Sequence, residues 1–276
     1  MSFASRLRTL GAAVGVGALI LGLGACSASA DAGATLTEGK LTIATGEPAY
    51  PPYVLDDDPA SGQGFEAAVA YAIAEELGYA PEDVVWVRTT FEAAIQPGPK
   101  DFDFNLQQYT ITAERAENVD FSIPYYKTPQ AVVTLADNPA AQAGSIADLQ
   151  GLEIGAASGT TSFQVAEETI APASGVKAFN NNDDLKLALI NGQIDAIVVD
   201  LPTAFFIIAV ELENGALVGQ LPASAGTSDE WGLVLPKDSA LTEAVNEAIQ
   251  SLIDSGELAQ ITEQWIGEEF GAPTLQ

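Results

Sequence analysis

The chain has 276 residues, with 38 acidic against 10 basic side chains and a formal net charge of −28. Such a charge argues against nucleic acid and anionic membrane surfaces as partners, because both need a basic face. There is no histidine and one cysteine, Cys26, which excludes His-dependent triads, most zinc sites and any intrachain disulfide. No cofactor or metal is expected.

In chain order, a targeting segment comes first. Arg6 and Arg8 make a basic start, Leu10 to Leu23 is apolar and uncharged, and Gly24 and Ala25 precede Cys26. Residues 1–25 therefore read as a secretory signal whose apolar stretch is short for a membrane span. The tetrapeptide LGAC resembles the lipobox of bacterial lipoproteins. The resemblance implies that Cys26 is lipidated and anchors the protein to the outer face of the cell membrane; the alternative is a buried or incidental cysteine. Residues 26–38, poor in bulky apolar groups, are expected to be a flexible tether. About 240 residues remain, enough for one large or two medium domains.

Lys40 to Thr45 reads as a strand. Phe65, Val69, Ala72, Ile73 and Leu77 recur at helical spacing, with Gly78 as the cap. Val84 to Val87, Phe102 to Leu106, Ala131 to Leu135 and Leu152 to Ala156 follow as strands. Thr160 to Glu168 and Asp183 to Asn191 read as helices, and Ala196 to Asp200 as a buried strand. Trp231 to Leu235 is strand-like. Leu241, Val245, Ala248, Ile249 and Leu252 mark a helix, and Leu258, Ile261 and Trp265 a second after Ser255-Gly256. Repeated alternation implies parallel sheets with helices on both faces. Ligands of such sheets sit beyond the carboxyl ends of strands. That rule points to the loops after Thr45, Leu106, Ala156 and Val199. The lack of a long linker predicts two lobes in close contact.

Only two arginines, Arg88 and Arg115, lie beyond the signal. Arg115 stands among Thr110 and Thr112. Its planar fork matches both oxygens of a carboxylate; the alternative is a surface arginine in a solvated ion pair.

Five fragments now stand in order: AYPPYVLDD (Ala49 to Asp57), GFEAAVAYAIAEELG (Gly64 to Gly78), TITAERAENVDFSIPYY (Thr110 to Tyr126), IGAASGTTS (Ile154 to Ser162) and NGQIDAIVVD (Asn191 to Asp200). Together they resemble the family-3 solute-binding proteins of ABC transporters, the periplasmic binding proteins for polar amino acids, from about Gly39 to Gly267. The resemblance implies an α/β fold of type II with two lobes, each a mostly parallel sheet flanked by helices, and a ligand cleft between them. Lobe one would be residues 39–128 and 225–276, and lobe two 129–224. The implied function is non-catalytic capture of a polar amino acid by a monomer and delivery to permease subunits. The alternatives are an enzyme of the same fold, such as a dehydratase using Glu47 or Glu230 as general acid or base, and a sensor reporting to a partner.

By the same resemblance, Arg115 and Thr110 hold the ligand's carboxylate, and Thr161 at a helix start assists or is a plain cap or first-turn residue. Asp200 takes the ammonium, or caps the helix before Pro202, or both. Tyr50 and Phe91 wall the side chain, Phe91 alternatively being core, and Tyr53 packs under its turn. Glu47 faces the pocket or stands solvated; Asp229 and Glu230 are weaker candidates of that kind. Gln107, Gln108 and Tyr109 are bulky where relatives are small, so the two amides fill part of the pocket or add donors to it.

Overall fold

A computed structural model describes residues 35–222, 229–267 and 272–276. The expected signal, Cys26, most of the tether and the 224/225 boundary lie outside these residues.

β1 (Leu41–Gly46) is buried along its whole length, as a central strand covered on both faces must be. It pairs in parallel with β2 (Val84–Thr89) and β3 (Phe104–Asn105). With β4 (Asp120–Phe121) and β12 (Val234–Leu235) they form a five-stranded sheet in the order β2-β1-β3-β12-β4. α1 (Phe65–Glu76), α8 (Thr242–Ser255) and α9 (Glu257–Trp265) cover one face, burying Phe65, Ile73, Val245, Ile249 and Leu252. The predicted stripe of α8 is the buried stripe. Its end is set by Gly256, whose φ of 80° places it in the left-handed region that glycine reaches without strain. α2 (Phe91–Ile95) and α3 (Ala113–Ala116) complete this lobe.

The second lobe holds β6 (Gln130–Leu135), β7 (Ile154–Ala157), β8 (Lys177–Phe179), β9 (Ala196–Asp200) and β10 (Gly215–Gln220), in the order β10-β6-β9-β7-β8. α4 (Ile146–Leu149), α5 (Thr161–Val165), α6 (Asn182–Ile190) and α7 (Leu201–Phe206) flank it. Apolar clusters form on both faces, one around Ile197 and Val199, the other around Val198 and Ile154. The fold is thus mixed α/β in two lobes.

Each sheet has one reversed strand among the described residues. β12 runs antiparallel to β3 and β4, and β6 antiparallel to β9 and β10. Both reversed strands follow directly on a crossing between lobes. The crossings themselves, β5 (Tyr126–Thr128) and β11 (Asp229–Trp231), pair antiparallel as a two-stranded ladder. Strand and helix alternation alone predicted neither these short crossings nor the reversals. The predicted strand over residues 231–235 is in fact two short strands, one at the crossing and one in the first sheet.

The last five residues depart from the expected assignment to the first lobe. Leu275 N and Pro273 O bond the backbone of Gln220 at the edge of β10, each at 2.9 Å. Leu275 is buried in the second lobe's core. The tail thereby covers an exposed sheet edge that would otherwise present unpaired backbone groups.

Candidate functional site

The turn before α1 is seated on that helix. Phe65 N donates to Pro52 O at 2.9 Å and Glu66 N to Tyr53 O at 3.0 Å, so the turn's carbonyls meet the helix's first free N–H groups. Gly64 permits this: a Cβ there would stand 2.4 Å from Tyr53 O. The seating fixes Tyr50 and Tyr53 at the interlobe cleft.

Between the lobes lies a cavity of about 260 Å³. At about 30 Å³ per water it is the size of a free small metabolite, below the range of larger ligands. The loops after β1, β3 and β7 and the end of β9 all reach it, as the strand-end rule required. Of the predicted residues, Glu47, Tyr50, Phe91, Gln108, Thr110, Thr161 and Asp200 line it. A second cavity of about 220 Å³, walled by Phe205, Phe206 and Trp265, is apolar and lacks converging charged groups.

Arg115 stands one layer behind the lining residues. It is 8% exposed. Nη1 donates to Thr110 O at 2.8 Å and Nη2 to Gly159 O at 2.9 Å, one carbonyl from each lobe. Its guanidinium lies 5.3 Å over the Phe91 ring, which stacks on Tyr109 at 4.6 Å. Among the described residues it makes no ion pair, whereas Arg88 is paired with Asp57. The solvated surface pair is therefore Arg88's arrangement, and Arg115 is a buried cation without an acid in contact.

Asp200 caps α7, accepting from Thr203 N at 2.9 Å and Thr203 Oγ1 at 2.8 Å. It lines the cavity as well. Tyr53 does pack under its turn, and its hydroxyl also reaches Asp200 Oδ1 at 2.5 Å, across the cleft. Burial raises the Asp200 carboxyl above the ordinary range. Thr161 is the first residue of α5, whose cap is Thr160. Its hydroxyl meets that of Thr110 at 3.1 Å, again across the cleft. A further link runs from Ser158 Oγ to Glu92 Oε1 at 2.9 Å.

Tyr50 points its hydroxyl at Asp183, 3.4 Å away, and burial raises its pKa. Glu47 is exposed at the rim. Gln108 is backed by Glu66, which accepts from Gln108 N at 2.7 Å and from Gln108 Nε2 and Tyr125 Oη. Glu66 is 1% exposed, and burial pushes its pKa up to about 7. Gln107 accepts from Tyr109 Oη at 2.9 Å; its amide leaves no room beside Gly46, where a Cβ would stand 2.7 Å from Nε2.

The weaker candidates separate. Glu230 pairs with Lys127 outside the cavity. Asp229 is buried behind Thr110, accepting from Thr110 Oγ1 at 2.9 Å and Gln130 Nε2 at 2.5 Å. Gln130 and Asn180 to Asn182 also line the cavity and were not foreseen. A glutamine heading the apolar run QAVVTL was the available signal, because a buried amide needs partners.

The profile of bacterial extracellular solute-binding proteins, family 3, matches residues 41–268. The chain belongs to this family. An L-arginine-binding protein of Pseudomonas aeruginosa is 31% identical to this solute-binding protein over 234 residues, 79% of this chain and 85% of that one. A probable histidine-binding protein of Campylobacter jejuni is 34% identical over 197 residues, 70% of each. Among solved structures, an ancestral arginine-binding protein bound to glutamine superposes with a TM-score of 0.69 at 30% identity, covering 84% of this chain and all of that one.

Proposed function

We propose that this solute-binding protein captures a free polar amino acid between its lobes and delivers it to the permease of an ABC importer. The observation that carries the reading is the placing of opposites about one cavity. Behind its lining on one side stands Arg115, a buried cation with no acid in contact among the described residues; on the other side Asp200 lines it, with hydrogen-bond donors but no cation in contact among the described residues. A buried charge left unpaired costs several kcal/mol, roughly. A zwitterion supplies both missing partners at once. Its carboxylate is held by Arg115 and the Thr110 and Thr161 region, its ammonium by Asp200, and its side chain lies between Tyr50 and Phe91 with Gln108 and Glu47 at the polar wall.

Arg115 and Asp200 belong to different lobes, so the ligand favours the closed arrangement over the open one. No observation favours the enzyme reading: Glu47 is at the open rim and Glu230 is engaged with Lys127 outside the cavity. Lipidation of Cys26 is part of the proposal and rests on LGAC; it holds a monomer at the outer face of the cell membrane, close to its permease.

Incubation with a panel of the standard L-amino acids, followed by thermal unfolding and mass spectrometry of the recovered ligand, tests the reading. A raised melting temperature with unchanged ligand supports capture. A consumed ligand, or no stabilisation by any member, refutes it.

A further inference from the structure

Gln130 opens β6 directly opposite Asp200, its register partner on β9. Neighbours across an antiparallel ladder carry their side chains on one face, about 5 Å apart. Gln130 is 5% exposed and lines the cavity. Its Nε2 donates to Asp229 Oδ2 at 2.5 Å. Its Oε1 is buried and has no hydrogen-bond partner among the described residues. Buried acceptors are nearly always satisfied, so an unpaired one on a residue that lines the cavity is a candidate acceptor for a donor brought by the ligand.

Asp229 explains why the oxygen, not the amide nitrogen, is left over. An ionised carboxylate only accepts. On the crossing strand β11 it accepts hydrogen bonds from the Thr110 hydroxyl of the first lobe and the Gln130 amide of the second. Turning the Gln130 amide over would set its oxygen against the carboxylate. The same bond commits the Thr110 hydroxyl, so Thr161 is the donor in the Thr110–Thr161 contact.

We infer that Gln130 Oε1 is the second acceptor for the ligand's ammonium, beside Asp200, and that Asp229 is the positioning residue that aims it. An ammonium has three donors and no acceptor. A carboxylate and a neutral carbonyl on adjacent strands suit it better than one acid alone, and they discriminate against ligands with no amine. This rests on the zwitterion reading above and adds a residue pair to it.

The test is calorimetry with the best-bound member of the L-amino acid panel and with the same molecule carrying hydrogen in place of its α-amino group. Gln130→Met keeps the length and removes the acceptor. Asp229→Asn keeps the shape but removes the accept-only carboxylate that fixes which end of the Gln130 amide is left over. Each variant should bind the amino acid about tenfold or more weakly, with the desamino analogue little changed. Equal losses for both ligands in melting-competent variants would assign Gln130 and Asp229 a structural role and overturn the inference. So would unchanged affinity for the amino acid. Failure of wild type to bind any panel member would instead remove the zwitterion reading itself.

Discussion

The Tyr53 hydroxyl is a lever on closure that leaves the rest of the site in place. It belongs to the first lobe and donates to Asp200 Oδ1 of the second at 2.5 Å, with Thr203 Oγ1 at 2.9 Å. Tyr53 is 1% exposed, so no water replaces the contact directly. Tyr53→Phe removes one oxygen and keeps the ring's edge-on packing against Trp231 at 5.6 Å. A hydrogen bond to a charged group contributes about 1.5–3 kcal/mol. This one exists only when the lobes meet, so its loss falls on the closed arrangement. At 1.4 kcal/mol per decade, affinity should weaken roughly 10- to 150-fold. Closed-state contacts govern escape, so stopped-flow recording of tryptophan fluorescence should place the loss in dissociation, not association. Calorimetry gives the equilibrium value. An affinity within about twofold of wild type, in a variant whose ligand-free melting is normal, would refute the role of this hydroxyl in closure.

Arg115→Ala should abolish binding in calorimetry while costing stability no more than about 6 kcal/mol, since two hydrogen bonds from a charged group and no ion pair are lost; Arg115→Lys should not restore affinity, because an ammonium lacks the fork. Glu66 binds protons more tightly folded, at about 7, than at its ordinary 4.5. Its contribution favours the fold below 4.5 and is lost as pH rises to about 7, roughly 3 kcal/mol over that window. Urea unfolding should show Glu66→Gln lacking this decline, and parallel pH curves for both proteins would contradict it. Leu275→Ala should cost about 2–5 kcal/mol in urea unfolding, because Leu275 is 3% exposed in the second lobe's core; an unchanged midpoint would show that the tail does not hold that lobe.

Much of the scaffold was legible because burial leaves a periodic trace. The strand Ala196–Asp200 falls where the apolar run AIVVD placed it, and the stripe of α8 was readable at 3.6-residue spacing. The strand-end rule then located the loops that line the cavity. Periodicity reports the burial of one segment, however, and not its distant partner. The Tyr53 hydroxyl meets Asp200 147 positions away, and nothing in YPPY encodes that distance. The crossing strands β5 and β11 are three residues each, too short to show a period. Asp229 was weighed as a pocket acid and proves to be a buried acceptor for Thr110 and Gln130. The tail falls to the second lobe because its bonds to Gln220 and Ile146 are tertiary contacts that its own sequence does not show.

The polar contacts across the cleft divide the work of closing. Tyr53 with Asp200, Thr110 with Thr161, and Glu92 with Ser158 join the lobes directly, and all three need only protein. Arg115 is different. It offers five donors, of which Thr110 O and Gly159 O take two, and its charge has no opposite in contact. Direct contacts alone therefore bring the lobes together around an unmet cation and an unmet acid. That arrangement is held back by the same charges that make it receptive. In the proposed binding mode a zwitterion would remove both penalties only in the closed state, and this difference between states is what a ligand needs to shift the balance. Molecules with only one of the two charges would leave the other penalty standing, which is how a small site tells an amino acid from a simple acid or amine.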